Sequence, residues 1–439
     1  MFPVTLLAAL LCLVGCATTS SITPEAEPRL RLSANPAKLG ESVGVRITGL
    51  EPNETIQIRA ERAAPSGWNR LYRAEARFVA DESGVVDLAT HAPVEGGWTS
   101  ADINGLFWSM RNTGEEVPDD LPADHVPIEV IDERGRRVAA ATLVFRPSDD
   151  SLVETSLDDS FPGTFILRKP GERPMPAIVV LGGSEGNDLA ARRLAPMLAD
   201  RGYAAVGFPY YAPGWPSPEA RIEGLSDGFA NLALDRLEAL RDTLRARPDI
   251  DGDRIGLHGT SKGAEYVLAA ASRIEGFSAV AAIVPSDVIW EGWGPGHEAG
   301  KTSGFSWRGE PLPFVPYLDI SRSLGPDAEV AVRVPHAEGR ERYSERVPAA
   351  RIRVEDIDEP VFLLAGGRDQ TWDSGRMAAN IAASRSRAGR ITEALIFARA
   401  GHGLSEPPEF PASEADARAR AAGWPAMLAF FDRNLRGEQ

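Results

Sequence analysis

The chain has 439 residues, of which 43% are hydrophobic and 25% charged, an ordinary balance for a soluble globular protein and enough length for two domains. Its formal net charge of −16 argues against a nucleic-acid partner, because a phosphate backbone needs a basic surface. A small anionic substrate held by a few local arginines stays open.

In chain order, the first feature is residues 4–15, VTLLAALLCLVG, an apolar run too short to cross a bilayer as a helix but of signal-peptide length. It ends in Leu13-Val14-Gly15-Cys16, which resembles a bacterial lipobox, whose cysteine is acylated and becomes the new N-terminus. Residues 1–16 are therefore expected to be a lipoprotein signal and 17–29, polar and Pro-containing, a tether. The membrane would be met only through lipid on Cys16, placing the body in the cell envelope. No Lys or Arg precedes the run, and the alternative is a cytoplasmic protein with a greasy start. Cys12 would leave with the signal, so the mature chain would hold neither a disulfide nor a cysteine nucleophile.

Residues 30–147 read as all-β. Val43, Val45 and Ile47 alternate, Ile56 and Ile58 continue after the turn Glu51-Pro52-Asn53-Glu54, and Val85 to Leu88 forms another short strand. IEVIDERGRRVAAATLVF reads as a hairpin turning at Asp132-Glu133-Arg134-Gly135. Short strands at this spacing predict a β-sandwich.

From residue 148 to 439 strands alternate with helices. AIVVLGG is continuously apolar, as a strand covered on both faces must be, and helix-like RRLAPMLADRG and strand YAAVGF follow. GFANLALDRLEALRDTLRARP predicts a long helix with Ala233, Leu237, Leu240 and Leu244 on one face. Then come strand RIGLHG, helix KGAEYVLAAASR, strands AVAAIVP, PVFLLAG and EALIFA, and a last helix. The pattern predicts a doubly wound, mainly parallel sheet. A Trp-, Pro- and Gly-rich insertion, about 286–350, is expected to cap the site.

Gly259-Thr260-Ser261-Lys262-Gly263 fits G-x-S-x-G between a predicted strand and a predicted helix, the context of a nucleophile elbow. Ser261 is the candidate nucleophile, and the N–H of Lys262, at the helix N-terminus, is a candidate oxyanion donor. A second donor is expected from the Gly182-Gly183-Ser184-Glu185-Gly186 loop, through the N–H of Ser184 or Gly183. The acid and then the histidine should follow at strand ends; Asp369 and His402 occupy those places, with Asp373 and Asp287 as rival acids. His258 reads as a packed strand residue, His91 and His125 lie in the β region, and His297 and His336 lie in the insertion. No ligand-spaced cluster predicts a metal, and no cofactor is implied. The Lys262 and Glu265 side chains read as helix-surface groups.

These residues resemble the family of acyl-CoA thioesterases and bile acid-CoA:amino acid N-acyltransferases. The likeness rests on Gly96-Gly97-Trp98 with Gly105-Leu106-Phe107-Trp108-Ser109-Met110, and on Gly259 through Glu265. Further matching runs are Ser306-Trp307-Arg308-Gly309, Gly366 through Ser374, and Gly401-His402-Gly403-Leu404-Ser405-Glu406-Pro407-Pro408. The resemblance implies an immunoglobulin-like β-sandwich followed by an α/β hydrolase, with Ser261, Asp369 and His402 as a triad. Cysteine stands at the elbow of the family's amide-forming members; serine favours transfer to water, because an acyl-serine ester is less open to amines than an acyl thioester. The expected activity is hydrolysis of an acyl thioester. A non-CoA ester of the envelope and acyl transfer to an amine are the alternatives, and the oligomeric state is left open.

Overall fold

A computed structural model describes residues 27–64, 69–148, 151–171, 173–214, 217–318 and 332–437. The signal, Cys16 and most of the tether therefore lie outside the described residues, as does the stretch 319–331 of the insertion.

The N-terminal region is built from two sheets. One has six strands in the order Ala37–Lys38, Arg137–Arg146, His125–Asp132, Thr55–Ala63, Leu71–Val79 and Arg111–Asn112. The other pairs Arg29–Leu32, Val45–Thr48 and Val86–Asp87. Alternation along the strands turns Ile56, Ile58, Phe78, Val126 and Ile128 of the large sheet toward Val45, Ile47 and Val86 of the small one. The Gly105–Trp108 helical turn adds Leu106, Phe107 and Trp108 to that core. A Cβ on Gly105 would lie 2.4 Å from the Trp98 ring, so the turn needs a glycine where it meets that indole.

The second region is built on an eight-stranded sheet. Its strands are β1 (Val153–Ser156), β2 (Phe165–Arg168), β3 (Met175–Leu181), β4 (Ala204–Gly207), β5 (Ile250–Thr260), β6 (Ala279–Ile283), β7 (Val361–Gly366) and β8 (Thr392–Phe397). They lie in the order β1-β2-β4-β3-β5-β6-β7-β8. β2 runs antiparallel to both its neighbours, and every other pairing is parallel.

Among the described residues, six helices of ten residues or more accompany it: α1 (Leu189–Asp200), α2 (Asp235–Arg245), α3 (Lys262–Ala271), α4 (Arg333–Arg342), α5 (Ser374–Arg387) and α6 (Glu414–Phe431). The apolar strands alternate between two cores. Val179, Val206, Leu257, Val280 and Leu363 meet α2, α3 and α5, through residues such as Leu240, Val267 and Ile381. Ile178, Val180, Ile283, Phe362 and Leu364 meet α1 and α6, through Leu198, Leu428 and Phe431. Both faces are dry, which is why these strands read as continuous apolar runs.

The helix expected from about residue 228 starts later. Leu232–Ala233 is a short strand parallel to Phe305–Ser306 of the insertion, and α2 begins at Asp235, whose carboxylate accepts the Arg308 N–H at 2.8 Å. Ala233 thus belongs to a strand, and Leu237, Leu240 and Leu244 make the buried helix face.

Candidate active site

β5 delivers the chain to Ser261 and α3 carries it away. Ser261 sits at φ 56°, ψ −117°, a strained conformation for a residue with a side chain. Its N–H is tied to the Ile283 carbonyl at 2.9 Å. The flanking glycines are required by close approach: a Cβ on Gly259 would lie 2.2 Å from the Gly263 carbonyl oxygen, and one on Gly263 would lie 2.1 Å from that of Gly182. The turn therefore packs against the loop that follows β3.

The other two predicted residues come from the ends of β7 and β8. His402 Nε2 lies 2.9 Å from Ser261 Oγ, and His402 Nδ1 lies 2.8 Å from Asp369 Oδ2. A carboxylate only accepts, so Nδ1 carries the ring proton and Nε2 is left to accept from the serine hydroxyl. Asp369 is fully buried, and its second oxygen accepts the N–H groups of Thr371 (2.8 Å) and Trp372 (3.2 Å). Arg333 from α4 grips the same loop, donating to the Asp369 and Gly367 carbonyls at 2.9 and 3.2 Å.

The rival acids are engaged elsewhere. Asp373 pairs with Arg333 at 2.9 Å and caps α5 through the Arg376 N–H. Asp287 takes both ends of the Arg340 guanidinium, at 2.6 and 2.9 Å, and the Asn380 amide at 2.8 Å. His258 is buried in β5, and burial lowers its pKa to about 4.

Two readings of the elbow region need correction. Gly183 does not offer a free donor, because its N–H is bonded to the carboxylate of Glu185 at 2.8 Å. The Ser184 N–H is bonded to nothing among the described residues, and Lys262 opens α3, where N–H groups lack intrahelical partners. The second correction is that Lys262 and Glu265 are not surface groups: they are 4% and 0% exposed and form a 2.7 Å ion pair. The rings of Phe229, Trp293, Phe305 and Trp372 surround the ammonium at 5.0–5.8 Å. Glu265 also accepts the Trp290 N–H at 2.9 Å.

The described parts of the insertion supply much of that enclosure through Trp290, Trp293 and Phe305. His336, on α4, carries no local signal that would single it out. Its Nδ1–H donates to the Val332 carbonyl at 2.8 Å, and its ring stands edge-on to Trp290 and Trp372. Burial lowers its pKa to about 4, so it is neutral at physiological pH. Its position beside Trp372, whose ring in turn meets His402, follows from a helix packing that no local motif encodes.

Sheet order, strained elbow and the convergence of Ser261, His402 and Asp369 at strand ends define an α/β hydrolase. Residues 163–291 match the model of the dienelactone hydrolase family. Residues 40–148 match the acyl-CoA thioester hydrolase/BAAT N-terminal region, and residues 237–422 match the BAAT/acyl-CoA thioester hydrolase C-terminal region. The chain belongs to this acyl-CoA thioester hydrolase/BAAT family. It is 25% identical to acyl-coenzyme A thioesterase 2, mitochondrial, of Rattus norvegicus, over 96% of this chain and 93% of that protein. It is also 25% identical to acyl-coenzyme A thioesterase 1 of Mus musculus, over 91% and 94% respectively. Among solved structures, an acylaminoacyl peptidase aligns with a TM-score of 0.41 and 12% identity, over 91% of this chain and 70% of that one.

Proposed function

We propose that the chain hydrolyses acyl thioesters through an acyl-serine intermediate. Ser261 Oγ attacks the thioester carbonyl while His402 Nε2 takes its proton, and Asp369 holds the Nδ1–H tautomer and stabilises the imidazolium. The carbonyl oxygen becomes an oxyanion facing the N–H groups of Lys262 and Ser184. The C–S bond breaks, the thiolate leaves with the proton from His402, and Ser261 is acylated. Water then gives a proton to His402 and adds to the ester, releasing the acid and restoring the serine. The observation that carries this reading is the hydrogen-bonded series Asp369–His402–Ser261, at 2.8 and 2.9 Å, on a strained elbow. Family membership supports a thioester as the bond broken, and serine rather than cysteine favours water as the acceptor.

The dienelactone hydrolase match over residues 163–291 favours a second reading, cleavage of an oxygen ester by the same steps. The lipobox-like Leu13-Val14-Gly15-Cys16 would place such an enzyme away from cytoplasmic coenzyme A. One assay series separates the readings: acyl-CoA thioesters and simple acyl esters of matched chain length, each with and without glycine or taurine. Thioester turnover without an amide product supports the first reading, ester-only turnover the second, and an amide product a transferase. Ser261→Ala is expected to lower turnover by more than about a thousandfold, and undiminished turnover would refute the mechanism.

A further inference from the structure

The chain that follows His402 does not rest on the hydrolase sheet alone. Two side chains of α6 hold its beginning: Asp416 accepts the Gly401 N–H at 2.5 Å, and Arg420 donates to the Gly403 carbonyl at 2.5 Å. Arg420 also reaches the Phe410 carbonyl at 3.2 Å, joining the two ends of the 403–410 segment. The far end meets four residues of the N-terminal β region. The Gly40 N–H donates to Glu409 Oε1 at 2.9 Å. Arg62, buried beneath the segment, lies over the Phe410 ring at 4.6 Å and touches the Glu409 carbonyl at 3.5 Å. The Trp108 carbonyl accepts the Ala412 N–H at 2.9 Å, and Arg111 donates to the Ala412 carbonyl at 3.1 Å.

We infer that the β region is a positioning part of the active site: through Glu409, Phe410 and Ala412 it fixes the segment whose first residues carry His402. The inference rests on the role proposed for His402. Its physical basis is continuity. Arg420 bonds the carbonyl next to His402 and the carbonyl next to Glu409, so a shift at the β-region contact is passed toward the imidazole through a segment held at both ends by one guanidinium. The Ser261 Oγ to His402 Nε2 contact of 2.9 Å leaves little room for such a shift. The Trp108-containing turn is also accounted for. It is packed against Trp98 on one side and presents its carbonyl to Ala412 on the other.

The test uses the full-length chain with four substitutions. Glu409→Ala removes the acceptor for Gly40, Glu409→Gln keeps one, and Arg111→Ala removes the donor to the Ala412 carbonyl together with its bonds to the Trp108, Ser109 and Met110 carbonyls. Lys38→Met is the control, breaking a 2.6 Å ion pair to Asp200 that joins the same two regions through α1 rather than through residues 401–412. Glu409→Ala and Arg111→Ala are expected to lower kcat about tenfold with KM within about twofold, because a small displacement of a catalytic group costs rate rather than binding. Glu409→Gln should recover most of the loss, and Lys38→Met should leave kcat alone. Wild-type kcat in Arg111→Ala and Glu409→Ala, or an equal fall in Lys38→Met, would overturn the inference. Should Glu409→Ala not fold, Arg111→Ala against Lys38→Met decides on the same criterion. Ser261→Ala run alongside keeps the two ideas apart: if it is inactive while the Arg111 and Glu409 variants are normal, the mechanism stands and only the positioning role falls.

Discussion

At the scale of single residues, Lys262 is the most informative side chain after the three that meet at Ser261. Burial pulls both partners toward neutrality, lowering the pKa of Lys262 and raising that of Glu265, while the 2.7 Å contact and the ring of aromatic faces favour the charged pair. Removing one partner strands the other in a dry site. Lys262→Met is therefore expected to cost about 3–5 kcal/mol in urea unfolding. Adding Glu265→Gln, which still accepts the Trp290 N–H, should return a large part of that. If the double variant is no more stable than the single one, the pair is not coupled in this way. None of this was legible beforehand, because a Lys and a Glu at i and i+3 read as a solvated face. Their burial is produced by Trp293, Phe305 and Trp372, which are distant in sequence.

At the scale of elements, what could be read was what each segment declares by itself. β3, β6 and β7 are apolar without interruption, and the elbow is bounded by glycines whose absent side chains make room for neighbouring backbone. Ser261, Asp369 and His402 are recognisable because each follows the end of a segment that reads as a strand. The antiparallel β1 and β2 and the Leu71–Val79 strand carry mixed, half-exposed patterns and were not singled out. The start of α2 was misplaced because Leu232–Ala233 pairs with Phe305–Ser306, a contact invisible to local periodicity. The elbow itself gives a sharp expectation. Gly263→Ala would place a methyl 2.1 Å from the Gly182 carbonyl oxygen, so either α3 or the loop bearing Ser184 must move. Stability should fall by about 1–3 kcal/mol and turnover should fall with it. Gly171→Ala, whose methyl would meet only the end of Met175 at 3.5 Å, should change neither. Equal behaviour of the two variants would show that the close approach is not what requires glycine at 263.

At the scale of the whole molecule, the contact between the β region and the hydrolase sheet contains a carboxyl group that links stability to pH. Burial raises Glu409 to about 7 from an ordinary 4.5, against the opposing pull of the Gly40 N–H and of Arg62 and Arg420. Between those values the folded chain keeps a proton that the unfolded chain has released. The stability contributed by Glu409 is therefore complete below pH 4.5 and is lost as pH rises through 7, a change of roughly 3 kcal/mol for a shift of this size. The buried imidazoles of His258 and His336, each lowered from 6.5 to about 4, act in the opposite sense and favour folding as pH rises between those values. The total curve mixes these terms, but a substitution at Glu409 isolates one. Glu409→Gln imitates the protonated carboxyl and keeps an acceptor for Gly40, so it removes the Glu409 contribution to the slope and leaves the histidines in place. Because the Glu409 contribution falls between pH 5 and pH 8 while the histidine contributions rise, the increase in urea midpoint from pH 5 to pH 8 should be larger in the variant than in the wild type. The variant should gain at pH 8, where the wild-type carboxylate must be held charged beside few compensating donors. Parallel curves for the two proteins would mean that Glu409 keeps an ordinary carboxylate pKa in the fold, and that the charge of Arg62 is balanced by the carboxylate rather than by the face of Phe410.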